Sequence, residues 1–73
     1  MYIRPGDCVT VTCEASYWCT SDREYIRFMV GDHLIVYQVG WTKVELLSMS
    51  GQKLELELDW WNGFAEQFFE MME

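Results

Sequence analysis

The chain has 73 residues, 51% of them apolar, with four Trp, four Tyr and four Phe, and a formal net charge of −7. That length allows one domain, residues 1–73, whose core supplies only ~3–5 kcal/mol unaided. A field of that sign disfavours direct binding to phosphate backbones or anionic lipid and attracts basic surfaces.

Residues 1–5 read as a lead-in, and Gly6-Asp7 as a turn. The first strand is predicted over 7–14, with Val9, Val11 and Cys13 on one face of a β-branched alternation. Residues 15–23 show no period and are expected to form a loop. A second strand follows over 24–30, with Ile26, Phe28 and Val30 inward. Gly31-Asp32 turns the chain into a third strand over 33–39, and Gly40 reads as a bulge or tight bend. The fourth strand is predicted over 42–49, with Val44 and Leu46 inward. Ser50-Gly51-Gln52 then makes a hairpin connection to a fifth strand over 53–59. There Leu54, Leu56 and Leu58 oppose Glu55, Glu57 and Asp59. Beyond Trp60-Trp61-Asn62-Gly63 the period becomes helical, predicting a helix over 63–72 capped by Asn62, with Phe64, Phe68, Met71 and Met72 on its apolar stripe. Gly6-Asp7-Cys8-Val9-Thr10-Val11 is echoed by Gly31-Asp32-His33-Leu34-Ile35-Val36, which reads as repeated turn chemistry rather than duplication.

Five short strands at this spacing predict a mainly β protein, a small five-stranded antiparallel barrel with a short C-terminal α-helix packed against it. The run Phe28-Met29-Val30-Gly31-Asp32-His33-Leu34-Ile35-Val36, then Trp41, then Ser50-Gly51-Gln52, resembles the central part of SH3-like barrels, covering roughly residues 24–58. In those domains a Gly-Asp diverging turn leads into a strand and a Trp opens the next. The resemblance implies a peptide groove, for which Tyr17 and Trp18 stand in place of the family's early Tyr-rich motif. The family's late Pro-Tyr pair has no counterpart.

The charge is uneven: residues 1–44 hold five acids and four bases, whereas residues 45–73 hold seven acids and Lys53 alone. Alternate strand residues lie about 6.6–6.8 Å apart, so Glu55, Glu57 and Asp59 are expected to form one carboxylate line. Helical spacing puts Glu66, Glu70 and Glu73 in another. A solvated face is the commoner meaning of such rows, but the shortage of compensating bases points to a partner. With Trp60, Trp61 and Phe69 as surplus rings for burial, the first expectation is a small acidic protein that binds a basic protein surface and inhibits or regulates it. Its sharpest form is a nucleic-acid mimic of the kind phages and other mobile elements encode. The alternatives are an SH3-like adaptor gripping an extended peptide between Tyr17, Trp18, Tyr37 and Trp41, and a subunit that homo-oligomerises through the helix.

Enzymatic chemistry is not expected. The chain has one His, no Gly-rich phosphate loop and no nucleophile elbow. Cys8, Cys13, Cys19 and His33 lack the close Cys pairs of a zinc site, so no metal or cofactor is expected. The odd thiol count and the lack of a signal-like or membrane-length apolar run predict a cytoplasmic protein.

Overall fold

A computed structural model describes residues 1–19 and 23–72, of which the chain forms seven strands and one helix. The strands are β1 (Cys8–Val11), β2 (Ala15–Cys19), β3 (Glu24–Phe28), β4 (His33–Val39), β5 (Lys43–Ser48) and β6 (Lys53–Glu57); α1 (Leu58–Phe68) and β7 (Phe69–Met71) complete the chain. With 51% strand and 16% helix the protein is mainly β with one short C-terminal helix. Every paired strand is antiparallel, in a five-stranded sheet ordered β6-β5-β4-β1-β7 and a two-stranded ribbon β2-β3. The five-stranded sheet does not close into a barrel.

The sheet's inner face follows the alternation of the sequence. Val9 and Val11, Leu34 and Val36, Val44 and Leu46, and Leu54 and Leu56 are all buried. They join Tyr17, Cys19, Ile26 and Phe28 from the ribbon, and Trp61, Ala65 and Phe69, in one cluster. The echo between residues 6–11 and 31–36 becomes a local two-fold. Gly6 N–H donates to Val36 O (2.8 Å) and Val36 N–H to Asp7 O (2.7 Å); Gly31 N–H donates to Val11 O and Val11 N–H to Asp32 O, both at 2.9 Å. Each turn needs its glycine, since Gly6 and Gly31 both sit at φ +95°. Each is also pinned by its aspartate, Asp7 accepting from Arg4 N–H and Asp32 from Met29 N–H.

Several boundaries differ from expectation, each for a physical reason. The first strand stops at Val11 rather than 14, because Thr12 and Cys13 N–H turn aside to Phe68 O; Cys13 is therefore exposed. The second predicted strand ends at Phe28, and Val30 lies exposed in the Gly31 turn. The fourth covers 43–48 rather than 42–49. The expected loop contains β2, whose Tyr17 and Cys19 point inward and whose Ser16 and Trp18 point out. Gly40 makes the tight bend, its N–H donating to Lys43 O at 2.8 Å, and a register shift falls earlier, between Val36 and Gln38.

The largest difference is at the fifth strand and helix. The strand ends at Glu57, α1 spans 58–68 instead of 63–72, and β7 occupies the predicted last turn. Glu57, not Asn62, is the N-cap, and it makes no side-chain cap bond. The buried stripe is Trp61 and Ala65, with Leu58 and Phe68 partly buried beside it. Burying a Trp removes roughly 150–250 Å² from water, an upper bound of roughly 4–6 kcal/mol. Placing Gly63 in a helix interior costs about 1 kcal/mol, so packing decides the start of the helix. Its end is set by Phe69, whose backbone turns extended (φ −129°, ψ 152°) while its N–H still donates to Ala65 O. β7 then pairs with β1, Phe69 opposite Val11 and Met71 opposite Val9.

Candidate interaction surface

The predicted partner-binding residues separate into those the fold consumes and those it leaves outside. Trp61 and Phe69 are 1% and 2% exposed and have no surface to offer. Trp60 is half-buried among Tyr17, Phe64, Phe68 and Phe69, with ring centroids 5.1–6.4 Å apart. Trp61 stacks on Phe69 at 5.1 Å, and Phe69 meets Phe28 edge-on at 5.2 Å. The rings expected as surplus are thus the packing between helix, sheet and ribbon.

The two carboxylate lines do not form. Asp59 lies in the first turn of α1, where a negative charge favours the helix dipole. Glu66 is in the helix's last turns and its Oε1 lies 3.1 Å from the Met1 amino group. Glu70 is on β7, paired with Thr10 on the far side of the sheet from β6. Glu73 lies outside the described residues.

What the structure gathers instead is an acidic corner at the β4–β5 hairpin. Counting outward from the turn at 48–52, β5 and β6 pair Lys43 with Glu57, Glu45 with Glu55 and Leu47 with Lys53. Glu45 and Glu55 are therefore directly opposed on the sheet's outer face. Lys43 Nζ sits 3.3 Å from Glu55 Oε2. Glu45, Glu57 and Asp59 make no ion pair among the described residues. Leu58 N–H donates to Thr42 O (2.9 Å), which ties the hairpin tip to the helix start and brings Asp59 alongside.

Trp41 stands on this tip, 98% exposed. Two shallow concavities flank it, about 240 Å³ bounded by Gln38, Lys43 and Glu45, and about 280 Å³ bounded by Lys43, Glu57 and Asp59. The arrangement can take a cationic side chain on either side of the ring, by carboxylate contact and by the ring face itself. Glu45 was missing from the sequence-derived set, although the hairpin register centred on Ser50-Gly51 placed it opposite Glu55.

The alternative aromatic groove is not assembled. Tyr17 turns inward, and its hydroxyl accepts from Glu57 N–H at 2.9 Å; burial is the main cause raising its pKa above the ordinary 10.0. Trp18 points to the opposite side of the same strand and meets Tyr25 edge-on at 5.0 Å. Tyr37 lies on the sheet's outer face under the Lys53 ammonium, 4.5 Å from the ring centroid.

Cys8, Cys13, Cys19 and His33 are also dispersed, and among the described residues no three metal-ligating side chains converge. Cys8 Sγ contacts Met72 Sδ at 3.3 Å, and His33 Nδ1 lies 3.0 Å from Thr10 Oγ1. Among the described residues, no helix is long and apolar enough to cross a membrane. Compared with known protein families, curated proteins and solved structures, the chain matches none.

Proposed function

We propose that this chain is a small acidic interaction protein that binds a basic protein surface through the β4–β5 hairpin corner, and so blocks or regulates that surface. The observation that carries the reading is Trp41, almost wholly in water and flanked by Lys43 and by Glu45, Glu57 and Asp59, three carboxylates that make no ion pair among the described residues. A ring of that size in solvent stabilises nothing in the fold, while exposed aromatics ringed by complementary charge are typical anchors of interfaces. The opposed Glu45 and Glu55 repel each other, and an approaching guanidinium or ammonium relieves that repulsion. Association then gains both electrostatic steering and apolar burial. Nothing in this reading needs a nucleic-acid-like array of carboxylates. A protein partner with exposed Arg or Lys satisfies it.

The SH3-like adaptor reading is weaker. It needs Tyr17 and Trp18 on one groove with Tyr37 and Trp41, and the first two point to opposite faces of β2. In its favour stand the Gly31-Asp32 turn into β4 and Trp41 just before β5.

The test is a titration of ¹⁵N-labelled protein with an arginine-rich peptide at low and high salt. Shifts centred on the Trp41 indole and residues 43–45 and 55–59 are expected, with affinity falling as salt rises. Equal binding by Trp41→Ala and by the triple variant E45Q/E57Q/D59N would reject the assignment.

A further inference from the structure

A second binding feature lies at the other end of β5. Inward positions on this strand run Val44, Leu46, Ser48, and at Ser48 the core loses a large side chain. The Ser48 hydroxyl is held back by the turn, 2.9 Å from Ser50 Oγ and accepting from Gln52 N–H at 3.0 Å. Beside it opens a cleft of about 460 Å³. One wall is the whole of β3, from Glu24 to Phe28; the other is the 48–52 turn, and Leu34 and Leu54 contribute apolar floor.

Among the described residues β3 pairs only with β2. Among the described residues no backbone hydrogen bond leaves its outer edge. An unpaired edge is a template for one more strand. Adjacent strands lie about 4.8 Å apart, sheets about 10 Å apart, and a strand residue rises about 3.3 Å. A residue thus occupies roughly 160 Å³, and the cleft has room for about three residues of a single strand. The charge of the walls selects among such segments. Arg27 is ion-paired with Glu14, and His33 is engaged with Thr10, whereas Glu24 has no partner among the described residues and Asp32 Oδ1 makes no bond there.

We propose that the outer edge of β3 is a strand-addition site that takes a short, extended, basic segment of a partner protein. The segment pairs with β3, lays apolar side chains over Ile26, Phe28 and Leu54, and directs lysine or arginine to Glu24 and Asp32. A second copy of this chain does not fit the cleft, because its β3 arrives already paired with its own β2. A free terminus or loop does. The site is independent of the Trp41 corner, since β5 runs its full length between them.

The experiment uses the acetylated, amidated peptide Lys-Thr-Val-Thr-Lys, whose lysines and valine share one face as Glu24, Ile26 and Phe28 do, titrated into ¹⁵N-labelled protein. Two further versions carry N-methyl groups on alternate residues, one set for each edge of the peptide. Amide shifts are expected at 24–28 and 48–52, and they should persist in the Trp41→Ala variant. One methylated version should bind about tenfold more weakly, through loss of two backbone hydrogen bonds, and the other should bind unchanged. Glu24→Lys, which leaves the core untouched, should weaken the unmodified peptide, as should Ser48→Phe, which fills the cleft, provided its amide spectrum shows a folded protein. Equal affinity of both methylated versions overturns the proposal. So do shifts confined to the Trp41 corner, or no shift up to about 5 mM peptide, the weak end of measurable affinity.

Discussion

Trp61 on α1 and Trp41 on the β4–β5 hairpin carry the same side chain at the two extremes of exposure, 1% and 98%. Around Trp61 the surroundings are complete: Phe69 stacks on it, the indole N–H donates to Met1 O at 3.3 Å, and the helix hides it from water. Around Trp41 the described residues supply a turn, the side chains of Gln38 and Lys43, and the carboxylates of Glu45, Glu57 and Asp59. The difference separates two uses of an aromatic in a chain too short for a large core. One ring is spent holding helix to sheet, and its removal is felt by the whole fold. The other leaves the fold nearly indifferent, so whatever it contributes is felt by a partner.

The comparison is broken most directly at Trp61. Trp61→Ala leaves a cavity beside Phe69 and is expected to cost about 3–5 kcal/mol, which is the whole stability of a core this size. Urea denaturation followed by circular dichroism should find little or no folded baseline; a normal transition would mean that the helix is not what closes the core. Trp41→Ala should shift the same transition by less than about 0.5 kcal/mol. Its effect belongs to binding, where an anchoring Trp is worth about 2 kcal/mol or more, read as loss of peptide-induced shifts in calorimetry or NMR. A variant that unfolds instead would return Trp41 to the structural group.

How far this division was legible from the sequence depends on the residue. The inner faces of β1, β5 and β6 were readable because Val9/Val11, Val44/Leu46 and Leu54/Leu56 keep a period of two along their strands. The Gly31-Asp32 turn was readable because glycine there must take positive φ. The helical period of 63–68 was readable too, but residues 58–62 were not, since Trp60-Trp61-Asn62-Gly63 has the local chemistry of a turn and only tertiary burial of Trp61 makes it helix. β2 was hidden by Trp18, a large aromatic at an outward position, which blurs the alternation of Tyr17 and Cys19 against Ser16. For the candidate corner, the acids of β6 were visible but their company was not. Glu45 and Trp41 join them only through strand register, which ties residues ten or more apart.

Tyr17 links the two regions, packing on Trp60 and accepting from Glu57 N–H just before the helix. Tyr17→Phe keeps the ring contact and removes the acceptor, an expected loss of about 1 kcal/mol. Because burial raises the phenol's pKa above 10.0, the folded state disfavours the phenolate. Tyr17 therefore contributes stability that is complete below pH 10.0 and is lost as the pH rises through the folded-state value. Urea midpoints measured on either side of pH 10.0 should fall more steeply with pH for the wild type than for Tyr17→Phe. Parallel slopes would show that the phenol is not the group being titrated.

The smallest effect expected is also the one that tells function from solubility at the acidic corner. Opposed carboxylates across a strand pair destabilise by roughly 0.2–1 kcal/mol, and among the described residues Lys43 is ion-paired with Glu55, not with Glu45. Glu45→Gln removes one charge of the opposed pair and keeps the side chain's size, so it should raise stability by a few tenths of a kcal/mol. The gain should shrink at high salt, where the repulsion it removes is already screened. The same substitution should weaken the arginine-rich peptide. Opposite signs for folding and binding are the signature of a charge held at some expense to the fold for the sake of a partner. If Glu45→Gln raises stability and leaves peptide binding untouched, the corner is a solubilising face and Trp41 must find its partner by apolar contact alone.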